Sequence, residues 1–253
     1  MDNGLLNVGL KKQNKIMITK RIIITLLLIA STIFSIGQKL ERFKGENGKY
    51  GFKAENGSVT IDAKYDFASS FSEGLAKVRV NGKYGLINKE GEEVAPCKYD
   101  EIRIFYKGLA KVRIDISKSR KFGYINLKGQ EVVPCKYDYI EYFYKDNARF
   151  FMGKIDKKGN PKKGKWGLVN REGKEVLPCK YDFISYDYDK HTFFSEGLVM
   201  VIINSKYGYV NKEGEEVIPL KYDSAKDFEN GKALVSIKGE EFYINANGEK
   251  IDD

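Results

Sequence analysis

Apolar and polar side chains alternate through Leu75-Ala76-Lys77-Val78-Arg79-Val80, Leu109-Ala110-Lys111-Val112-Arg113-Ile114 and Ala233-Leu234-Val235-Ser236-Ile237. A period of two turns one face to a core and the other to water, which predicts an antiparallel, half-buried strand. A second apolar stretch follows, opening on an aromatic and a glycine in five copies: Tyr50-Gly51, Tyr84-Gly85, Phe122-Gly123, Trp166-Gly167 and Tyr207-Gly208. Four polar residues ending in glycine come next, as in Asn88-Lys89-Glu90-Gly91 and Asn211-Lys212-Glu213-Gly214. Asn before two polar residues and a Gly, set between apolar runs, is hairpin-loop chemistry, since glycine takes up a positive φ that a Cβ resists.

A third stretch closes each copy at Tyr65, Tyr99, Tyr137, Tyr181 or Tyr222, always 15 residues after the aromatic and always followed by Asp. Pro96, Pro134, Pro178 and Pro219 interrupt it in four copies. Proline lacks the ladder donor, so this strand belongs at a sheet edge or carries a bulge there. The third residue after each Tyr is Ala68, Ile102, Ile140, Ile184 or Ala225, and the sixth is Phe71, Phe105, Phe143 or Phe228 in four copies. Spacing by three predicts a turn of tight helix that returns the chain and lays the Phe as a lid over the sheet.

A pattern repeated every 34 to 44 residues marks an array whose units bury their apolar sides against one another. The expected fold is all-β: five three-stranded antiparallel meanders and a degenerate C-terminal half unit, wound as a solenoid or superhelix, with a β-propeller as the alternative. In the sixth copy Glu241 takes the aromatic position and Phe242 the glycine position, as an end unit facing water would.

Residues 1–37 read differently. Behind Lys20-Arg21 an apolar run extends from Ile22 to Ile36 and ends in Ser35-Ile36-Gly37, with Met17 as a second candidate start. Basic flank, 15-residue apolar core and small residues at the end describe a signal peptide cleaved after Gly37, leaving 38–253 as the repeat array. A membrane anchor over 20–37 is the alternative, although a span ordinarily takes about 17 to 25 apolar residues. The expected compartment is therefore outside the cytoplasm: periplasm, cell surface or medium.

Charge adds little. Five bases and one acid in residues 1–37 hold +4 of the formal +9, so +5 remains for the array, where Lys and Glu alternate as on a solvated surface. No basic stripe with interleaved stacking aromatics appears, which excludes nucleic acid as the expected partner. Hydrophobic residues make up 42% and aromatics 13%, enough for a packed core.

Two insertions break the spacing on either side of Trp166. Gly153 to Lys165 carries Lys154, Lys157, Lys158, Lys162 and Lys163 around Gly159-Asn160-Pro161; Tyr186 to Phe194 carries Tyr188, His191 and Phe193 among acids. Insertions in repeat arrays tend to lie on a working face. Tyr186, Tyr188, His191, Phe193, Lys157, Lys158 and Lys162 are accordingly the candidate partner-binding residues. Cys97, Cys135 and Cys179 share a position with Ala63 and Leu220, the signature of a small apolar slot rather than a disulfide or metal site. The one histidine has no triad or metal partners nearby in sequence. Asp66, Asp100, Asp138, Asp182 and Asp223, one per copy, are read as acceptors for backbone N–H groups at the return turn.

Aromatic-Gly, Ile or Val-Asn, Gly, Val, Pro and Lys-Tyr-Asp, preceded by Glu73-Gly74-Leu75-Ala76 or Glu196-Gly197-Leu198-Val199, together resemble the bacterial WG repeat, also called KWG. Only Trp166-Gly167 carries the namesake dipeptide, and Asn147 stands where the second-to-third linkage should have its Gly. The resemblance spans roughly residues 45 to 252 and implies a β-repeat protein, often exported, with no catalytic residues to carry over. From these readings the expectation is a monomeric, non-enzymatic module without cofactor or metal, binding an unknown protein, or alternatively a cell-surface glycan through exposed aromatics such as Tyr186, Tyr188 and Phe193. An enzyme built on the insert loops around His191 is the third, least favoured reading.

Overall fold

The computed structural model describes residues 39–252, so the expected leader over 1–37 lies outside the described residues. Among the described residues the regular structure is entirely β. The chain divides into two compact units, one ending at Cys97 and the other beginning at Lys98. Six small antiparallel sheets follow one another along the sequence.

The first sheet orders Leu40–Lys44, Tyr50–Ala54 and Val59–Tyr65 side by side. Each later sheet has four strands in sequence order, as in Tyr139–Ile140, Asn147–Ile155, Pro161–Asn170 and Glu175–Tyr181. The additional strand is the segment expected to coil as a tight helical turn. Phe67–Ala68, Glu101–Ile102, Tyr139–Ile140, Phe183–Ile184 and Ser224–Ala225 are instead two-residue strands. Backbone satisfaction decides it: Asp138 N–H donates to Phe151 O and Glu141 N–H to Arg149 O, so the ladder with the next strand takes the donors a helix would need. The Phe lid forms nonetheless, with Phe71 4.7 Å from Phe52, Phe143 4.9 Å from Tyr124 and Phe228 4.9 Å from Tyr209. Such pairs add about 0.5–1.5 kcal/mol to the area they bury.

The hairpin loops are Asx-centred. Asn126 Oδ1 accepts the N–H groups of Lys128 (2.9 Å) and Gln130 (3.1 Å), and Asn211 does the same for Glu213 and Glu215. The lysine-rich insertion contains the same turn with Asp156 in place of Asn, so it extends a hairpin, Asn147–Ile155 against Pro161–Asn170, rather than adding an irregular loop.

A bulge gives the glycine after the aromatic its reason in four copies, while at Gly167 an added Cβ would first meet the Phe150 ring. Phe122 pairs with Tyr137 and Tyr124 with Val133, so the single residue Gly123 faces three of the other strand, Pro134 to Lys136. The bulging main chain passes over Gly123, where a Cβ would lie 2.4 Å from Val133 O. The same register break occurs at Tyr50 and Phe52, opposite a stretch with Asp62 in the proline's place, so the bulge belongs to the repeat and proline is fitted to it. The proline-bearing strand is also the outermost of its sheet, as with Glu131–Tyr137. The sixth copy, expected as a half unit, completes four strands, with the last shortened to Lys250–Ile251.

Candidate functional site

Recurring polar residues stitch the copies together. Lys98 Nζ and the Tyr99 hydroxyl both reach Glu131 Oε1, at 2.7 and 3.1 Å; Lys136 and Tyr137 grip Glu175, each at 2.9 Å. Burial works against ionisation of Glu131, yet Lys98 and Tyr99 hold its carboxyl below the usual range. In the fourth copy the buried Tyr181 hydroxyl has no partner. Tyr137→Phe is therefore expected to cost about 1–2 kcal/mol, whereas Tyr181→Phe should be neutral or stabilising because it removes an unsatisfied buried group. Urea unfolding of the two variants separates these outcomes.

The recurrent Asp residues accept backbone N–H bonds as expected, but from the next sheet's first hairpin rather than their own turn. Asp138 takes Gly153 N at 2.9 Å and Lys121 Nζ at 2.6 Å; Asp182 takes Asn204 N at 2.8 Å and Lys165 Nζ at 2.5 Å. A third link is cationic. Arg42, Lys111 and Arg149 lie over the rings of Tyr50, Phe122 and Trp166 at 5.1, 4.9 and 5.4 Å, and donate to the carbonyls of Ala68, Ile140 and Ile184. Arg149 also makes a two-point pair with Glu141, at 2.8 and 2.9 Å.

A dedicated site should stand out as a departure from this repetition, and one does. The return segments of the second and third copies carry Ile104 and Tyr106, then Tyr142 and Tyr144, where the first has Ser70 and Ser72 and the fifth Asp227 and Glu229. Ile104 is 90% exposed, Tyr106 66% and Tyr142 53%, so packing does not account for their apolar bulk. Together they wall a cavity of about 570 Å³ in the second unit, floored by Leu109, Tyr124 and Phe143 and rimmed by Lys107, Lys111, Lys145, Arg171 and His191.

Local structure fixes the rim. Tyr106 and Leu109, like Tyr144 and Asn147, bridge across two-residue turns in which Lys107 and Lys145 hold φ near 50°. The second bridge puts Asp146, rather than Asn147, at the place of the turn glycine. Arg171, from the following hairpin loop, donates Nε to Lys145 O (2.8 Å) and Nη1 to Lys107 O (3.0 Å), and lies 5.3 Å from the Phe143 ring. Burial, then the charge of Arg103, pulls the Lys111 amine down to about 8, against the raising influence of Glu101 and Glu141.

The second insertion flanks this cavity, though differently from expectation. Tyr186 and Phe193 are 6% and 3% exposed, not displayed. Asp187 and Thr192 close the insertion by reciprocal backbone bonds of 2.9 and 3.2 Å, which turns the flanking rings inward to 5.0 Å from each other. Tyr188 stays 71% exposed, 4.8 Å from Tyr186, which in turn stands 4.7 Å from Tyr144. His191 lines the cavity with Nδ1 3.2 Å from the Tyr186 hydroxyl, and Lys145 Nζ donates to Lys190 O at 3.2 Å.

Lys157, Lys158 and Lys162 are exposed, and Lys157 lines a different, more polar cavity with Arg120 and Asp156. The two sets of sequence candidates are thus not brought together. Cys97, Cys135 and Cys179 are free thiols in half-buried slots. Burial, then Glu131, pushes Cys135 up to about 12, and burial raises the other two, so all three are poor nucleophiles.

The family model of the WG containing repeat matches five times, over residues 50–84, 84–115, 122–154, 166–207 and 207–240. This chain belongs to the WG-repeat family. No curated protein matches it. Among solved structures, a eukaryotic initiation factor is similar over 85% of the WG-repeat chain and 61% of its own, at 11% identity and a TM-score of 0.33. The WG-repeat chain therefore spans about three fifths of that structure. A KlHsv2 variant with loop 6CD replaced by a Gly-Ser linker is similar over 79% of this chain and 72% of its own, at 9% identity and a TM-score of 0.33. AztD from Citrobacter koseri gives 85% and 78%, at 11% identity and a TM-score of 0.25. Scores this low attach neither ligand nor activity to the WG repeats.

Sequence reading missed Ile104, Tyr106, Tyr142, Tyr144 and Arg171. The signal was available in the departure of the second and third WG copies from the Ser, Asp and Glu that the first and fifth copies carry at the same positions, where the fourth copy has Tyr186 and Tyr188.

Proposed function

We propose that this WG-repeat chain is a non-enzymatic binding module that takes an extended segment of another protein in its aromatic cleft. One observation carries the reading: residues that depart from the repeat, and that packing does not require, gather around a single cavity. Recurrent Lys, Tyr, Asp and Glu are occupied in joining copies, and the thiols are held protonated, which favours binding over chemistry. Tyrosine supplies large contact area at low conformational cost, as binding surfaces use it. The apolar run behind Lys20-Arg21 supports placing the module at the cell envelope.

The test is a displayed random-peptide selection on the purified protein, with counter-selection on Tyr106→Ser/Tyr142→Ser, which restores side chains of the first copy. Enriched peptides should bind the native protein at least about ten-fold more tightly than the variant. Enrichment indifferent to the substitution, or none, overturns the reading. Aromatic walls also suit sugar faces, so retention on cell-wall polysaccharide that disappears in the same variant would replace the protein partner by a glycan.

A further inference from the structure

Resting on the binding-module reading, we infer that the cleft selects an acidic segment, one in which carboxylate side chains alternate with aromatic or aliphatic ones. The charge distribution points there. Lys107, Lys111, Lys145 and Arg171 line the cavity with His191, and no Asp or Glu lines it. The chain has 35 acids to 44 bases, so an all-basic lining is not a reflection of composition.

The two acids that act on Lys111 are already committed, and Asp146 and Glu172, the chain neighbours of Lys145 and Arg171, do not line the cavity. Glu141 is held at two points by Arg149, and Glu101 pairs with Arg103 at 2.8 Å and Arg113 at 3.3 Å. Arg171 spends two of its five N–H groups on the carbonyls of Lys107 and Lys145, which fixes its guanidinium at the rim. Lys111 directs one N–H at Ile140 O and stands 5.5 Å from the Tyr142 ring. Cations beside exposed rings take a segment with charge and apolar surface in alternation, which an extended strand presents on opposite sides. A carboxylate at Lys111 would also stabilise the ammonium form that burial disfavours.

The experiment uses two fluorescein-labelled ten-residue peptides, Glu alternating with Phe and Gln alternating with Phe, in anisotropy titrations at about 50 and 300 mM NaCl. The Glu peptide should bind at least about ten-fold more tightly, and salt should erase most of the difference. Lys107→Asn/Lys145→Asn should weaken it about five-fold and flatten the salt dependence. Asn230 occupies the same turn position with φ 54° in the last copy, so this variant keeps the backbone it needs.

Equal binding of the two peptides overturns the acidic preference while leaving the module reading intact. So does failure of both while a display selection still yields cleft-dependent peptides. Failure of both together with an empty selection overturns the module reading as well. Oligogalacturonate binding that depends on Lys107 and Lys145, with no Glu-peptide binding, replaces the protein segment by an anionic glycan. Concentration-dependent dimerisation abolished by Tyr106→Ser/Tyr142→Ser assigns the cleft to a second copy of this chain and overturns the inference.

Discussion

Arg149→Ala is expected to destabilise the second compact unit by about 3–5 kcal/mol, because removing one partner of a buried pair strands the other. The Arg149 and Glu141 side chains are only 12% and 18% exposed, so little water is at hand to replace the guanidinium beside Glu141. The same substitution removes the donor to Ile184 O at 2.8 Å and uncovers the Trp166 ring 5.4 Å away. Glu141→Gln alone should cost less, and the double variant less than the two single costs added together, since the pair is coupled. Urea unfolding followed by Trp166 fluorescence reads all three; strict additivity would show that the pair contributes nothing of its own.

Gly173→Ala is the second large effect, at about 2–4 kcal/mol. Gly173 has a φ of +82°, and a Cβ there would lie 1.9 Å from Val132 O, a backbone atom of the preceding copy with little freedom to retreat. Gly159 is the internal control: its φ of +92° closes the same kind of Asx turn, but nothing lies within 4 Å of the added carbon. Gly159→Ala should show only the conformational cost, about 1 kcal/mol. The difference between the variants in urea melts measures how tightly one copy's loop seats on its neighbour. Equal costs would mean the loop seats loosely.

How much was legible follows from which positions packing dictates. The 15-residue spacing, the Asn-x-x-Gly loop and the edge proline each encode a backbone requirement, and all three lead to the observed hairpin and bulge. The two-residue strand after Tyr-Asp was misread as helix because Ala68 or Ile140 followed by Phe71 or Phe143 at spacing three meets the same inward requirement in either conformation. Only the main-chain donors distinguish them, and their partners lie in the next sheet. Asp66 and its counterparts were read as acceptors correctly, with the wrong donors, for the same reason: Asn81 N–H comes from 15 residues downstream.

The site was harder. Tyr186 and Phe193 resemble Tyr188 in sequence, and only the backbone closure between Asp187 and Thr192 turns two rings inward and leaves the third outside. Ile104, Tyr106, Tyr142 and Tyr144 escaped notice because averaging over copies, the operation that reveals a repeat, discards its exceptions. Exposed positions in a repeat are free of the core's demands, and a bulky apolar residue there is informative for that reason.

The two-residue strand has one more consequence, for how such arrays grow. Because Tyr139–Ile140 leaves one copy's terminal Tyr-Asp and becomes the outer strand of the next sheet, the folded brick is out of phase with the written one. A duplication whose joints fall just after Asp138 and Asp182 would transfer an intact four-stranded brick, whereas joints at the aromatic-Gly pair would split one. Gene rearrangements that lengthen or shorten these arrays should therefore favour breakpoints at Tyr-Asp.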